Sequence, residues 1–184
     1  MKRLTDIALS LTALTLLSPV MLLAALAVLT GTGWPVLFKQ TRVGMGGREF
    51  GMLKFRSMVK NAASSGPHFT QTNDARITRV GQFIRRTSID ELPQLINVLL
   101  GDMSLVGPRP DLPAQQDLYT PKDWKQRCTV RPGITGLAQV KGRSTVSFEQ
   151  RLALDLEYAA NVSWWRDIQI MWWTVCQLRG RHAN

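Results

Sequence analysis

Residues 7–37, IALSLTALTLLSPVMLLAALAVLTGTGWPVL, carry no charged side chain, and their reading decides what kind of protein this is. The densest part, Ile7 to Leu29, would form a helix of about 34 Å at 1.5 Å per residue, enough to cross a bilayer core. Lys2 and Arg3 precede the run, and Lys39, Arg42, Arg48, Lys54, Arg56 and Lys60 follow it. Positive residues favour the cytoplasmic side, so both flanks ask for the same one. A single spanning helix satisfies one flank; a helix that enters the bilayer and returns satisfies both. Ser18-Pro19 lies near the middle, where Pro19 cannot donate to the Thr15 carbonyl, and this predicts a kink. The Ser18 hydroxyl is placed to bond back to the previous turn. A cleaved signal peptide is the competing reading, with Leu23-Ala24-Ala25-Leu26-Ala27 imitating a cleavage site. The length of the run argues against it. Residues 1–37 are therefore expected to form a re-entrant membrane helix, and residues 38–184 one globular cytoplasmic domain.

The whole chain is basic, with 23 Lys+Arg against 13 Asp+Glu and a formal charge of +10 over 184 residues. Such a balance favours anionic partners: nucleic acid, anionic lipid or a phosphorylated substrate. No aromatic-basic RNA signature or recognition-helix pattern is present, so no nucleic acid is expected. Cys128 and Cys176 are far apart and are read as small buried hydrophobes, which fits a reducing compartment. His68 and His182 stand alone, so a zinc site or a His-based triad has little to build on. Any chemistry falls to carboxylates and arginines.

The middle of the chain predicts a mainly helical α/β fold with a small strand component. Phe38 to Val59 alternates short apolar runs with glycines and cations, as strands and turns do. Asn61 to Asp74 is rich in Ser, Gly, Asn and Thr and reads as a mobile loop. Gly81 to Arg86 reads as a short helical turn carrying two arginines. Ser88 and Glu91 form a Ser-x-x-Glu capping box before Leu92, Leu95, Ile96, Leu99 and Leu100, with Gly101 as the stop. A further helix is expected from Ser147 to Ala160. Between Ser163 and Leu178, Trp164, Trp165, Trp172 and Trp173 alternate with Ile168, Met171 and Val175. That pattern fits an amphipathic helix at the membrane interface, or equally a buried core helix.

Asp90 and Glu91 sit at an expected helix start just after Arg85 and Arg86. The helix end and two neighbouring cations would keep a carboxylate ionised. An ionised Asp can attack phosphorus or hold a divalent cation. Arginine offers planar paired donors matching a diphosphate, so Arg85, Arg109 and Arg143 could share that duty. Gly107-Pro108-Arg109-Pro110 fixes one of them between two prolines, which leaves little backbone entropy to lose. Oxygen ligands alone favour Mg²⁺. Each part also has an ordinary explanation, since Asp-Glu pairs cap helices and single arginines are mostly solvated. Physics alone supports phosphate handling with metal assistance.

The runs Thr87-Ser88-Ile89-Asp90-Glu91-Leu92-Pro93-Gln94-Leu95 and Gly101-Asp102-Met103-Ser104-Leu105-Val106-Gly107-Pro108-Arg109-Pro110 closely resemble the bacterial sugar transferase family. These are the small monotopic polyprenol-phosphate phosphoglycosyl transferases. Lys2-Arg3 with Asp6, Ser18-Pro19, Phe38 to Gly44, Lys54 to Met58 and Arg131 to Gly136 extend the likeness along nearly the whole chain. The resemblance implies that Asp90 attacks the β-phosphate of a UDP-sugar and that Glu91 completes the dyad. It implies Mg²⁺ at Asp90, a donor-positioning role for Arg109 between Pro108 and Pro110, and re-entry at Ser18-Pro19. Lys54, Arg85 and Arg143 are further candidates for phosphate binding. Undecaprenyl phosphate would be the acceptor and membrane phospholipid the surroundings, at the cytoplasmic face of a bacterial inner membrane. No residue pattern names the sugar.

Overall fold

A computed structural model of the protein describes residues 1–62, 74–142 and 146–180, with 178–180 as backbone only. Arg143, both histidines and nearly all of the predicted 61–74 loop lie outside the described residues. Helix α1, Lys2–Thr32, is followed by an antiparallel hairpin of β1, Leu37–Val43, and β2, Glu49–Phe55. Gly46 and Gly47 turn the hairpin at φ 70° and 77°, a region glycine enters without a Cβ penalty. Helices α2, Arg79–Arg86, and α3, Gln94–Leu100, come next. Strand β3, Ser104–Val106, pairs in parallel with β4, Gly133–Thr135, across helix α4, Pro121–Arg127. Helices α5, Leu137–Gly142, α6, Phe148–Ala160, and α7, Trp164–Gly180, complete the order. The fold is mostly helical with two small sheets, as the composition pattern predicts.

Helix α1 is continuous through Pro19, and Ser18 Oγ donates to the Thr15 carbonyl at 2.8 Å. That is the carbonyl deprived of its partner by Pro19, so the expected local compensation is present. Both ends of α1 pack on the rest of the protein. Near the start, the Asp6 carboxylate accepts from Ser104 Oγ at 2.9 Å and from the Leu105 amide at 3.1 Å. Lys2 Nζ meets Asp167 at 2.6 Å, while Arg3 donates to the carbonyls of Val98 and Leu99 at the end of α3. Near the far end, Ala24 and Val28 join Phe55 and Ile84 in one apolar cluster. Between them, residues 11–23 contain no buried side chain.

Two local expectations are corrected. The Ser88 capping box does not form: Ser88 is left-handed at φ 58° and its side chain caps nothing. Residues Ile89–Glu91 make a short 3-10 turn instead, and α3 starts after Pro93. Glu91 cannot reach back to the cap because its carboxylate is committed to two cations. Within α3 the buried set is Gln94, Leu95, Asn97 and Val98, while Leu100 is 71% exposed. Gly101 does end the helix, at φ 95°. Cys128 is buried as expected, but Cys176 is exposed, on the same outward stripe of α7 as Trp172 one turn earlier.

Helix α6 begins as read, with Ser147 and Gln150 bonding each other's backbone amides. Helix α7 buries one face and exposes the other. Ile170 is fully buried against Val106, Leu137, Val140 and Tyr158, whereas Trp165 and Trp172 are 74% and 63% exposed.

Candidate active site

Four elements bring the predicted site residues to one place. Strand β2 carries Lys54 one residue before its end, the 3-10 turn carries Asp90 and Glu91, α2 supplies Arg85, and the segment after β3 supplies Arg109. Helix α2 lies flush on the chain at Ser57: a Cβ on Gly81 would stand 1.9 Å from the Ser57 carbonyl oxygen. This close approach puts Arg85 Nε 2.7 Å from Ser57 Oγ. Asn97, buried in α3, ties the site to the hairpin. Its Oδ1 accepts from the Leu53 amide at 2.9 Å and its Nδ2 donates to the Gly51 carbonyl at 2.9 Å.

Glu91 Oε1 accepts from Lys54 Nζ at 2.9 Å and from Arg109 Nη2 at 2.8 Å. Burial alone would raise the Glu91 carboxyl, but Arg109 and Lys54 outweigh it and hold the group down at about 2. Burial pushes the Lys54 ammonium below its ordinary value, partly offset by Glu91. Asp90 is only 8% exposed, and no hydrogen bond to its carboxylate is found among the described residues. Burial and then the neighbouring Glu91 raise its carboxyl above the ordinary value, against the pull of Lys54, Arg85 and Arg109. The sequence expectation that nearby cations dominate at Asp90 is thus corrected. The cations are largely engaged by Glu91, and desolvation wins at Asp90.

Pro108, Arg109 and Pro110 form a strap leaving the β3–β4 pair. The Pro108 carbonyl accepts from the Gly133 amide at 2.9 Å, and the Pro110 carbonyl accepts from Arg42 Nη1 at 2.9 Å. Burial, followed by the charge of Arg109, lowers the Arg42 guanidinium to about 10. Ser18 and Pro19 sit on the exposed middle of α1, where the Ser18 hydroxyl bonds only within its own helix among the described residues. Arg42, Ser57, Asn97 and Asp6 escaped the sequence reading as structural supports. Each acts on a partner more than twenty residues away, so no local spacing signals it.

The site can hold and polarise a phosphorylated ligand. It has one uncommitted, partly shielded carboxylate beside three cations, of which Arg109 remains 43% exposed at its side chain. Because Glu91 is depressed, its ion pairs contribute stability fully above the ordinary value of 4.5, and that contribution is lost as pH falls toward 2. Glu91→Gln is therefore expected to flatten the acid side of the thermal-stability profile below pH 4.5, measured by melting between pH 3 and pH 7.

The family model for bacterial sugar transferases matches residues 1–181. A Caulobacter vibrioides protein named UDP-glucose:undecaprenyl-phosphate glucose-1-phosphate transferase is 46% identical, over 96% of this chain and 69% of its own length. An Escherichia coli protein of the same name is 44% identical over 95% of this chain and 39% of its own length. An Aeromonas hydrophila UDP-N-acetylgalactosamine-undecaprenyl-phosphate N-acetylgalactosaminephosphotransferase is 43% identical over 95% of this chain and 42% of its own length.

Proposed function

The chain belongs to the bacterial sugar transferase family, and from that premise we propose that it transfers a sugar-1-phosphate from a UDP-sugar to undecaprenyl phosphate, releasing UMP. The observation that carries the mechanism is the division of labour in the dyad. Glu91 is held by Lys54 and Arg109, while the adjoining Asp90 carboxylate is left uncommitted.

An Asp90 oxygen attacks the β-phosphorus of the donor. A new oxygen–phosphorus bond forms as the bond from the β-phosphorus to the bridging oxygen breaks, and UMP leaves with that oxygen and its electron pair. An oxygen of undecaprenyl phosphate then attacks the aspartyl-bound phosphorus, frees the Asp90 carboxylate and gives undecaprenyl-diphospho-sugar. Arg109, aimed from the strap, and Arg85 and Lys54 from below, neutralise the phosphate oxygens. Arg143 remains a candidate for the same duty.

Magnesium would be an ion shared between the protein and the donor. The described residues contain no cluster of three or more potential ligands, and Glu91 is engaged, so Asp90 would be the protein oxygen and the donor diphosphate would supply others. Bound there, Mg²⁺ would draw negative charge from the diphosphate and ease departure of UMP. Loss of activity on chelation, restored by added Mg²⁺, checks this part.

The membrane seat belongs to the same reading. No side chain of residues 11–23 is fully buried, both ends of α1 rest on one globular body, and both flanks are basic. These features support re-entry of residues 1–37 at Ser18-Pro19, with residues 38–184 on the cytoplasmic side of a bacterial inner membrane. Trp165 and Trp172 would face the headgroup layer. A cysteine inserted directly after Met1, and Lys60→Cys, each in a Cys128→Ser, Cys176→Ser background, are expected to react with an impermeant maleimide only after spheroplasts are broken. Labelling of either one in intact spheroplasts would exclude a cytoplasmic hairpin.

Incubation with a UDP-sugar and Mg²⁺, without acceptor, should add the mass of one sugar phosphate to the protein at Asp90. UMP formed in acceptor-dependent turnover with no such adduct, even at the shortest times, would replace this two-step route with direct transfer. Because Asp90 must be deprotonated to attack, its raised carboxyl places the acid limb of kcat/KM above the ordinary aspartate range. A limb at or below the ordinary aspartate range would mean that neighbouring cations, bound metal included, outweigh burial at Asp90.

A further inference from the structure

Behind the strap lies a buried ionic cluster far from Asp90 in sequence. Arg127, 5% exposed at its side chain, spends two guanidinium nitrogens on the strap segment and the third on α6. Nε donates to Asp155 on α6 at 3.0 Å, Nη1 pairs with Asp111 at 2.8 Å, and Nη2 donates to the carbonyl of Arg109. Asp111 also accepts from Tyr119 Oη at 2.6 Å, and Arg151 stands 3.6 Å from its other oxygen. The next two carbonyls along the strap are held as well. Arg42 takes that of Pro110 at 2.9 Å, and the Val43 amide takes that of Asp111 at 2.9 Å.

Three consecutive backbone carbonyls, 109 to 111, are thus fixed by α4 and by β1. A planar guanidinium holds three groups from three separate nitrogens at fixed angles, whereas an ammonium's three donors rotate about one nitrogen and reach only groups gathered around that point. The strap already has restricted φ at Pro108 and Pro110. What these bonds add is its placement relative to the 3-10 turn, and the Arg109 guanidinium meets Glu91 only if that placement holds. Two buried carboxylates and a tyrosine are more apparatus than a turn between a strand and a short helix requires for closure.

We propose that Arg127, braced by Asp111 and Asp155, and Arg42 are positioning residues that aim Arg109 at Glu91 and at the donor diphosphate. The donor part rests on the transferase reading above; the Glu91 part does not. Neither residue touches the substrate, so each acts through the strap backbone.

The test uses the full chain in detergent micelles, with Arg127→Lys and Arg42→Gln. Arg127→Lys keeps a cation beside Asp111 and Asp155 but gives up the three-way fork, and Arg42→Gln changes a half-buried site with less risk to folding. Two readouts are taken: the Glu91 carboxyl titration by carbon NMR, and KM for the UDP-sugar that wild type uses. Arg109→Ala supplies the reference for full loss of the contact. In both positioning variants Glu91 should titrate higher than in wild type, toward the Arg109→Ala value. Donor KM should rise about tenfold or more with a smaller change in kcat. Combining Arg127→Lys with Arg109→Ala should move Glu91 no further than Arg109→Ala alone, which a general loosening would not reproduce. A folded Arg127→Lys and a folded Arg42→Gln that leave Glu91 and donor KM at wild-type values overturn the proposal. If Arg127→Lys does not fold, Arg42→Gln decides it by donor KM, because loss of the Arg42 charge raises Glu91 by itself. If wild type releases no UMP from any donor, the transferase reading fails, and the Glu91 titration alone still decides whether the strap is aimed.

Discussion

Asp90→Asn removes UMP release, by about a thousandfold or more, while the protein stays folded and membrane-bound. The size follows from the role. An amide oxygen is a poor nucleophile toward phosphorus, and removing a covalent nucleophile leaves only the positioning and charge contributions of the site. The retained fold follows from geometry. No hydrogen bond to the Asp90 carboxylate is found among the described residues, and asparagine preserves its volume. Burial raises the Asp90 carboxyl in the folded protein, so removing its charge should not weaken the structure. Glu91→Gln should behave differently. It breaks the contacts to Lys54 and Arg109, so acid stability changes along with activity. A melting profile and a UMP assay on the two variants separate these effects.

Gly107→Ala should damage the protein as a whole. A Cβ at this position would lie 2.3 Å from the Arg131 carbonyl oxygen and 2.8 Å from the Gly133 amide nitrogen. Both are backbone atoms of the segment that pairs with β3, so neither can swing aside as a side chain would. Relief requires parting β3 from β4, and with them the bonds Gly107 N to Thr135 O and Gly133 N to Pro108 O, each 2.9 Å. The cost is about 3 kcal/mol, at the upper end for overpacking a tight site. Because the strap begins at the next residue, whatever protein folds should also bind donor poorly. A thermal midpoint in detergent, compared with wild type, reads the first effect. Gly46→Ala is the contrasting case: nothing stands within 4 Å, and only its φ of +70° resists, at about 1 kcal/mol.

The features legible in the sequence were those whose cause lies within a few residues. An uncharged run of apolar residues gives α1, and the Ser18 hydroxyl answers the Thr15 carbonyl one turn away. Ser147 with Gln150 opens α6, and Gly101 closes α3. Local reasoning failed where a distant partner claimed a side chain. Glu91 has the right spacing from Ser88 for a capping box, but Lys54 and Arg109 hold its carboxylate, so the box never forms. Lys2 and Arg3 also have partners that only the fold supplies, since Lys2 pairs with Asp167 and Arg3 caps α3. Asn97 looks like a polar interruption of an apolar helix and is instead the bolt between α3 and β2. The Asp111–Arg127–Asp155 cluster had no sequence signal, because its members are brought together only by the packing of α4 and α6. Of the candidate site, the dyad, Lys54, Arg85 and the strap were legible through the family likeness. Their division into a clamped Glu91 and an uncommitted Asp90 required coordinates.

The central claim is the reaction, and the most direct measurement is UMP release from a panel of UDP-sugars with Mg²⁺, with and without undecaprenyl phosphate. The account predicts sustained UMP release for at least one donor, requiring the acceptor and abolished by Asp90→Asn. Sustained release that is unchanged by Asp90→Asn, or none from any donor by folded, membrane-bound protein, would contradict it.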